Sequence, residues 1–582
     1  MNAVSILRNF RLATAAALEH AGGDPAVLAL QAARRLPPAV VNPAARTAAA
    51  MPGVLMPSLA DVIRGNPESA RKRMLQAAEA GPRARTAVRL ADVATAAGYP
   101  DLTETLLAPV PSEVPGKAAA AARLAWHRGE MTAAVGMFSG AGSGAERRFR
   151  ERLASELSVF QGWEPTLDAV RGYLGRESTV LHLLTNSLPH TGSGYAQRSH
   201  SLLKAQTEQG WEVHAVTRIG YPVQVGRLTA TDQDAIDGVT YHRLLPGALP
   251  RGMAARLQQQ AEGLLALALR LRPTVLHTTT HFVNGLVVRA VANALDIPWV
   301  YEVRGQLADT WASTRGPDAR KSERYRMFIE REACVMRSAD AVVTLGQVML
   351  DGVLGAGVPA EKTLLLPNAV GEDFLSNPLS PREARRSLGL QEPGPVVGTV
   401  SSLVSYEGID DLIRAFAVLV PRHPGLFCLI VGDGAAAPSL RRLAAELGVA
   451  DRVVFAGRVP RHQARLHHQA IDVFVVPRKD LDVTRAVTPL KPVEAMACAR
   501  PVAASDLPAL AELIHDGRDG LLARPGDPAH LADRLSTLIG DPDLRVRMGS
   551  AGRTKVLAER TWATMARRAN GLYGSLTEER KP

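Results

Sequence analysis

The spacing of apolar residues changes once along the chain, near Ser178. Before it, apolar and small residues recur at helical intervals: Ala91, Ala94, Gly98, Leu102 and Leu106 match Ala122, Ala125, Gly129, Ala133 and Met137 at an offset of 31. Each set predicts a small-residue helix, a glycine turn and a second apolar helix, a hairpin that must stack on neighbours to bury its face. An earlier helix over 27–36 fits the same stack. Met1 to Gly22 predicts the first helix of a folded domain, because Glu19 and His20 interrupt its apolar part and spoil a signal peptide. Residues 147–175 predict a charged helix and a joining segment.

After Ser178 short apolar runs alternate with helical stretches. Thr179–Thr185 predicts a buried strand, Ala196–Gln209 a helix and Val213–Thr217 the next strand, a β-loop-α-β unit with Gly192 and Gly194 at the turn. Glycine there would let backbone approach a ligand closely. Strands follow at Val275–His281 and Trp299–Gly305. A second series opens with Val396–Val400 and continues through Cys428–Gly434, Arg452–Pro460, Ile471–Pro477, Pro501–Ser505 and Gly520–Gly526. Residues 528–575 predict terminal helices. This is an α/β chain of two Rossmann-like doubly wound domains behind an all-helical, tetratricopeptide-like domain. The expected bounds are 1–175, 176–385 and 386–575.

Ligands of open α/β sheets bind at the carboxyl ends of strands. That rule makes His277, His281, Glu302 and Arg304 cleft candidates. In the second series it selects Arg485 to Ser505. There Thr488 can cap a helix starting at Pro489, and Leu490, Val493 and Ala497 form its apolar stripe. Lys491 and Glu494 sit three apart on a neighbouring face. A helix N-terminus carrying a lysine suits a diphosphate, and a carboxylate one turn further in can accept from ribose hydroxyls. A mutual surface salt bridge is the plain alternative.

The segment Thr488-Pro-Leu-Lys-Pro-Val-Glu-Ala-Met-Ala497 resembles the donor-binding signature of the retaining, GT-B-fold glycosyltransferases of the GT4 group. It is most similar to bacterial polysaccharide-assembly enzymes. Gly192–Pro222 resembles the opening of the same subgroup, and the likeness runs from about 178 to 575. The resemblance implies a hexosyltransferase that takes a nucleotide-diphosphate sugar and passes the sugar, with retention, to a glycan or lipid-linked acceptor. It implies His281 and Arg304 beside the transferred sugar, and Gly192, Gly194, Ser402, Arg458, Thr488, Pro489, Leu490, Lys491 and Glu494 around the donor, with terminal helices crossing back to the first domain.

The chain departs from that pattern in places. Ser402 and Glu407 stand where many members carry an arginine and a lysine that grip the diphosphate. Lys491, with Arg485 or Arg458, is expected to supply the charge instead. Ala499 replaces a usual glycine, and Pro508-Ala509 replaces Gly-Gly before Glu512. These departures keep open a second class, a degenerate GT-B module that binds without catalysis.

Composition narrows the picture further. The 582 residues are 46% hydrophobic and 21% charged, in the range of a globular chain. A net charge of +11 suits anionic partners. Basic runs interleaved with aromatics are missing, which ranks nucleic acid last. Cys334, Cys428 and Cys498 form no CxxC pair, which predicts reduced thiols. Asp480-Leu-Asp482 has the form of a metal-binding DxD. The resemblance nevertheless implies no metal and no other cofactor. The expected setting is cytoplasmic, with peripheral contact at the inner face of the plasma membrane and a protein partner on the helical domain.

Overall fold

The computed structural model describes residues 3–23, 26, 29–30, 33, 38–138, 143–390 and 394–580. The helix expected over 27–36 lies largely outside the described residues.

The first α/β domain holds an eight-stranded sheet. Its strands are β1 (Thr179–Leu184), β2 (Glu212–Thr217), β3 (Gln233–Ile236), β4 (Val239–Arg243), β5 (Val275–Thr279), β6 (Trp299–Val303), β7 (Ala341–Thr344) and β8 (Thr363–Leu365). They run in the order β3-β4-β2-β1-β5-β6-β7-β8. All neighbours are parallel except the β3–β4 hairpin. That hairpin was not anticipated, although Asp237-Gly238 signals it: both residues have positive φ, 48° and 79°, as a tight two-residue turn requires. β1, β5 and β6 are buried along their whole length, because helices cover both faces.

The second sheet has six parallel strands: β9 (Val396–Val400), β10 (Phe427–Val431), β11 (Val453–Gly457), β12 (Val473–Val476), β13 (Val502–Ser505) and β14 (Gly520–Ala523), ordered β11-β10-β9-β12-β13-β14. In each sheet the chain reverses direction beside its first strand, and there the carboxyl ends open a crevice. The two sheets face each other in the GT-B arrangement. The last helix, Trp562–Glu578, returns to the first domain. Its Trp562, Met565, Ala566, Ala569 and Tyr573 share an apolar cluster with Val180, Val275 and Val300.

The N-terminal region is mostly helical. Helices Ala84–Ala96 and Pro100–Leu107 form one hairpin, and Lys117–Arg128 and Met131–Gly136 another. Gly98 and Gly129 make the two turns with φ of 86° and 85°. Ala91, Ala94, Leu102, Leu106, Ala122 and Ala125 are buried. Ala133 and Met137 are exposed, and Met131 and Ala134 take the inward places, so the matching fails in its last helix.

Packing sets limits that the pattern missed. Met131, Leu157, Val159 and Phe160 belong to the same core as Leu181, Leu276 and Phe282 of the first sheet domain. The C-terminal end of helix Gly144–Phe160 is therefore part of the α/β core, while its Phe149 and Leu153 pack with Ala119, Ala122 and Ala125 of the helical hairpins, so the helix joins the two cores. The first helix, Ala3–Gly23, also lies on that domain: Leu12 packs with Val223, Ala230 and Leu245, and Asn9 donates to the carbonyls of Leu228 and Ala230. At the other end, helix Pro381–Ser387 packs on the second domain, where Ala384 is in the core and Arg385 pairs with Asp472 at 2.7 Å.

Candidate active site

Ser401–Gly408 follows β9, and Arg478 lies just past the end of β12, so the chain reversal brings them together. Gly408 is required there. Its φ is 69°, and a Cβ would sit 1.7 Å from the Pro477 carbonyl oxygen. Glu407 is 5% exposed and accepts from Arg478 twice, Nε at 3.2 Å and Nη2 at 2.9 Å. Lys491 Nζ lies 3.6 Å from the same carboxylate and donates to Ser401 Oγ at 3.2 Å. Burial alone would raise the Glu407 pKa, but Arg478 and then Lys491 outweigh it and hold the carboxyl ionised. Two cations therefore surround one carboxylate at the tip of β9.

This arrangement revises several expectations. The residue beside Lys491 is Ser401, and Ser402 is exposed next to it. Arg478 supplies the second cation. Arg485 does not, because both of its bonds go to Asp480, at 2.7 and 2.8 Å. Arg458 is exposed beyond β11, two strands from β9. Asp482 pairs with Arg320 across the domains, so the two acids of the DxD form turn to different arginines.

The helix carrying Lys491 and Glu494 starts later than expected. It runs Lys491–Ala497, with Pro492 in its first turn and Leu490 as an uncapped N-cap. Thr488 caps nothing there. It is 2% exposed, and its carbonyl accepts from Asn368 Nδ2 at 2.8 Å. Pro489 is buried and Leu490 half-buried between that carbonyl and the helix. Pro492 lacks the N–H that this carbonyl would accept in a helix, so the capping signal at Thr488 starts none. Ala499 has φ of 56° just past the helix, which explains why glycine is usual at this place.

Glu494 is 3% exposed on this helix, with Oε1 2.7 Å from Arg461 and Oε2 3.2 Å from His468. Burial pushes its pKa up, but Arg461 and His468 more than compensate and keep the carboxylate charged. Arg461, half-exposed, was not singled out from sequence.

Across the cleft, a cavity of about 190 Å³ is lined by Thr185, Tyr195, Ser199, His281 and Arg304. Burial, then Arg218 and Arg324, push His281 down to about 4, so its imidazole is neutral near pH 7. Its Nδ1 is buried without a hydrogen-bond partner among the described residues. Arg304 is 3% exposed. Its guanidinium pairs with Glu302 and donates to Ser199 Oγ at 2.6 Å. Glu302 also accepts from Arg198 at 2.6 Å. Arg304 is therefore held within a buried ion triad, not presented as an open cation. His277 bonds Tyr573 on the returning helix at 2.5 Å and lies under the cleft.

Gly192 and Gly194 lie between β1 and helix Gly194–Glu208, where Ser193 caps by accepting from the Ala196 N–H at 3.3 Å. A Cβ at either glycine meets open space, so no chain contact imposes glycine there. Glu512 joins the domains, accepting from the Gln347 and Val348 N–H groups at 2.8 and 2.7 Å.

Comparison with known proteins agrees with this architecture. Residues 193–369 match the family described as glycosyl transferase 4-like domain, and residues 380–555 match glycosyl transferases group 1. A GDP-mannose-dependent alpha-(1-6)-phosphatidylinositol monomannoside mannosyltransferase of Mycolicibacterium smegmatis is 32% identical over 42% of this chain and 64% of its own length. The similarly named enzyme of Mycobacterium tuberculosis H37Rv is 35% identical over 36% of this chain and 54% of its own. The chain thus spans less than two thirds of these relatives. Sucrose-phosphate synthase from Thermosynechococcus elongatus shares the fold, with a TM-score of 0.57 at 23% identity, over 69% of this chain and all of that one. Each α/β domain thus matches a glycosyltransferase family model, and together they share the fold of a solved glycosyltransferase-type enzyme.

Proposed function

We propose that the chain transfers a sugar from a nucleotide-diphosphate donor to a glycan or lipid-linked acceptor, with retention of configuration. One observation carries this reading: Lys491 and Arg478 gather at the strand tips one helical turn from the buried carboxylate of Glu494. Glu494 would accept from the donor ribose hydroxyls, with Arg461 swinging aside from its exposed position. Lys491, the cation left over once Arg478 has neutralised Glu407, would stabilise the leaving diphosphate, where charge develops in the transition state. Neutral His281 would hydrogen-bond the sugar or acceptor. Glu407, one of the departures that favour a non-catalytic binding module, is neutralised by Arg478, which supports turnover.

On this reading no metal takes part, since protein cations already offset the diphosphate. The site of action would be cytoplasmic, peripheral to the membrane where the acceptor is lipid-linked. Among the described residues no helix is long and apolar enough to cross a membrane. The test is hydrolysis and transfer from a panel of nucleotide sugars, beginning with GDP-mannose, with and without excess EDTA. Binding of donor without release of free sugar would favour the non-catalytic module. Complete loss of activity in EDTA, restored by magnesium or manganese, would promote Asp480 and Asp482.

A further inference from the structure

The helical layer meets the first α/β domain around a cavity of about 620 Å³. Arg123 lines it from the helical hairpins, Arg152 from helix Gly144–Phe160 between the two layers, and Arg315 and Arg324 from the α/β side. The carboxylate on its wall is Asp92, which Arg123 engages at 2.7 Å; Glu156, just outside, accepts from Arg324 at 3.2 Å. Two guanidinium groups share one indole, with Arg315 4.8 Å and Arg324 5.6 Å from the Trp311 ring centre. Trp126 and Phe149 also line it, with Arg324 over the Trp126 ring and Arg123 and Arg152 over Phe149. The Nε atoms of Arg315 and Arg324 are buried and without hydrogen-bond partners among the described residues.

Four guanidinium groups meet two carboxylates here, Asp92 and Glu156, and an excess of one sign in a partly enclosed space favours an entering anion. The strain shows in the neighbours. Burial and Arg324 lower the Arg315 pKa. Burial, then Arg315 and Arg128, push His127 down to about 4. If these arginines served only to hold the two units together, close packing would be expected between them, not a hollow.

The cavity is one of a series. Arg152 also lines a second hollow of about 300 Å³ with Arg218, and that hollow shares Thr185 and His281 with the cavity beside Arg304. A line of adjoining cavities thus runs from the candidate reaction centre to the helical layer. Gly129 marks how closely the layers meet, since a Cβ there would stand 2.6 Å from Ser322 Oγ and 2.7 Å from the Trp311 ring.

We propose that this series is the acceptor path, and that the cavity at the helical junction binds an acidic sugar of a glycan acceptor, its oxyanion on the arginines and its ring against Trp311. The helical layer is then part of the acceptor site. This rests on the glycosyltransferase reading of the His281 side. Arginine suits carboxylate or phosphate through paired donors, and an aromatic face suits the apolar face of a sugar.

The test uses the full chain and tryptophan fluorescence. It is titrated with tetragalacturonate, a phosphorylated disaccharide, neutral maltotetraose and inorganic phosphate. An acidic oligosaccharide should bind and weaken as salt rises. Maltotetraose should not bind, and inorganic phosphate should bind at least tenfold more weakly. Arg315→Gln should lower acidic-glycan affinity at least tenfold and leave donor-nucleotide affinity unchanged. Arg152→Gln, on the opposite wall, should do the same, and it decides the matter if the first variant melts early. The two acidic probes separate a carboxylate from a phosphate preference. Equal binding of neutral and acidic glycans, binding of phosphate alone as tightly, or wild-type affinity in both variants would overturn the proposal. Donor hydrolysis in the same preparation keeps the two readings apart. Hydrolysis without arginine-dependent glycan binding sinks this proposal alone, and glycan binding without hydrolysis sinks the transferase reading and leaves the cavity as a glycan site.

Discussion

Lys491 and Glu494 stand three residues apart on one short helix, yet each is bound elsewhere: Lys491 Nζ donates to Ser401 Oγ at 3.2 Å, and Glu494 Oε1 lies 2.7 Å from Arg461. The two charges serve different places. Glu494→Ala should remove charge-assisted bonds of roughly 1.5–3 kcal/mol, or more than tenfold in donor affinity. Lys491→Ala should lower turnover more than it weakens donor binding. Donor titration with single-turnover rates reads both, and wild-type kinetics in both variants would remove the site.

Glu407→Gln tests the charge balance at the tip of β9. The variant keeps the shape and frees Arg478 and Lys491 toward a diphosphate. GDP or UDP should bind severalfold more tightly. The folded-state pKa of Glu407 is lowered, so its ion pairs add stability above its unfolded pKa that is lost as pH falls through the folded value. Glu407→Gln should therefore be less acid-sensitive than wild type. Weaker nucleotide binding at neutral pH would contradict this account.

His281 gives a second pH signature. Its pKa falls from 6.5 to about 4, so the unfolded chain takes up a proton over this interval before the native protein does. Stability is therefore retained above pH 6.5 and lost as pH falls toward 4, by at most about 3 kcal/mol for this residue. Denaturant unfolding at pH 7 and pH 5 should show a smaller difference in His281→Gln than in wild type. An equal difference would mean that His281 is solvated.

A fragment beginning at Ser178 should aggregate or lack cooperative unfolding, because it deletes Met131, Leu157, Val159 and Phe160 from the first domain's core. A fragment beginning at Gly144 keeps the last three and should be the more stable. Circular dichroism melts compare them, and a well-folded Ser178 fragment would refute the shared core.

Ala499→Gly should stabilise the chain by about 0.5–1 kcal/mol, since alanine is strained at φ of 56° and glycine is not. The measure is a shift in denaturant midpoint at constant slope. Destabilisation would show that the alanine methyl packs better than its backbone strain costs.

The sequence alone determined the elements and their kind. Runs such as Val396–Val400 are apolar throughout because parallel strands are covered on both faces, and that pattern needs no tertiary information. The switch near Ser178, the placement of polar residues at strand ends and the Lys491–Glu494 pair were legible for the same local reason. Asp237-Gly238 was legible too and went unread. What only the tertiary structure decided is how residues far apart in the chain meet. Arg478 neutralises Glu407 across 71 positions, and no spacing rule reaches that far. Thr488 has a capping residue's chemistry, but Pro492 lacks the N–H its carbonyl would accept in a helix; that carbonyl accepts instead from Asn368, 120 positions away, and the helix starts at Lys491. Periodicity marked Gly144–Phe160 as helical without saying which core its apolar face would join. Burial against the first sheet at one end and the helical hairpins at the other settled that, because hydrophobic attraction is non-directional and its partner is chosen by the shape of the whole fold.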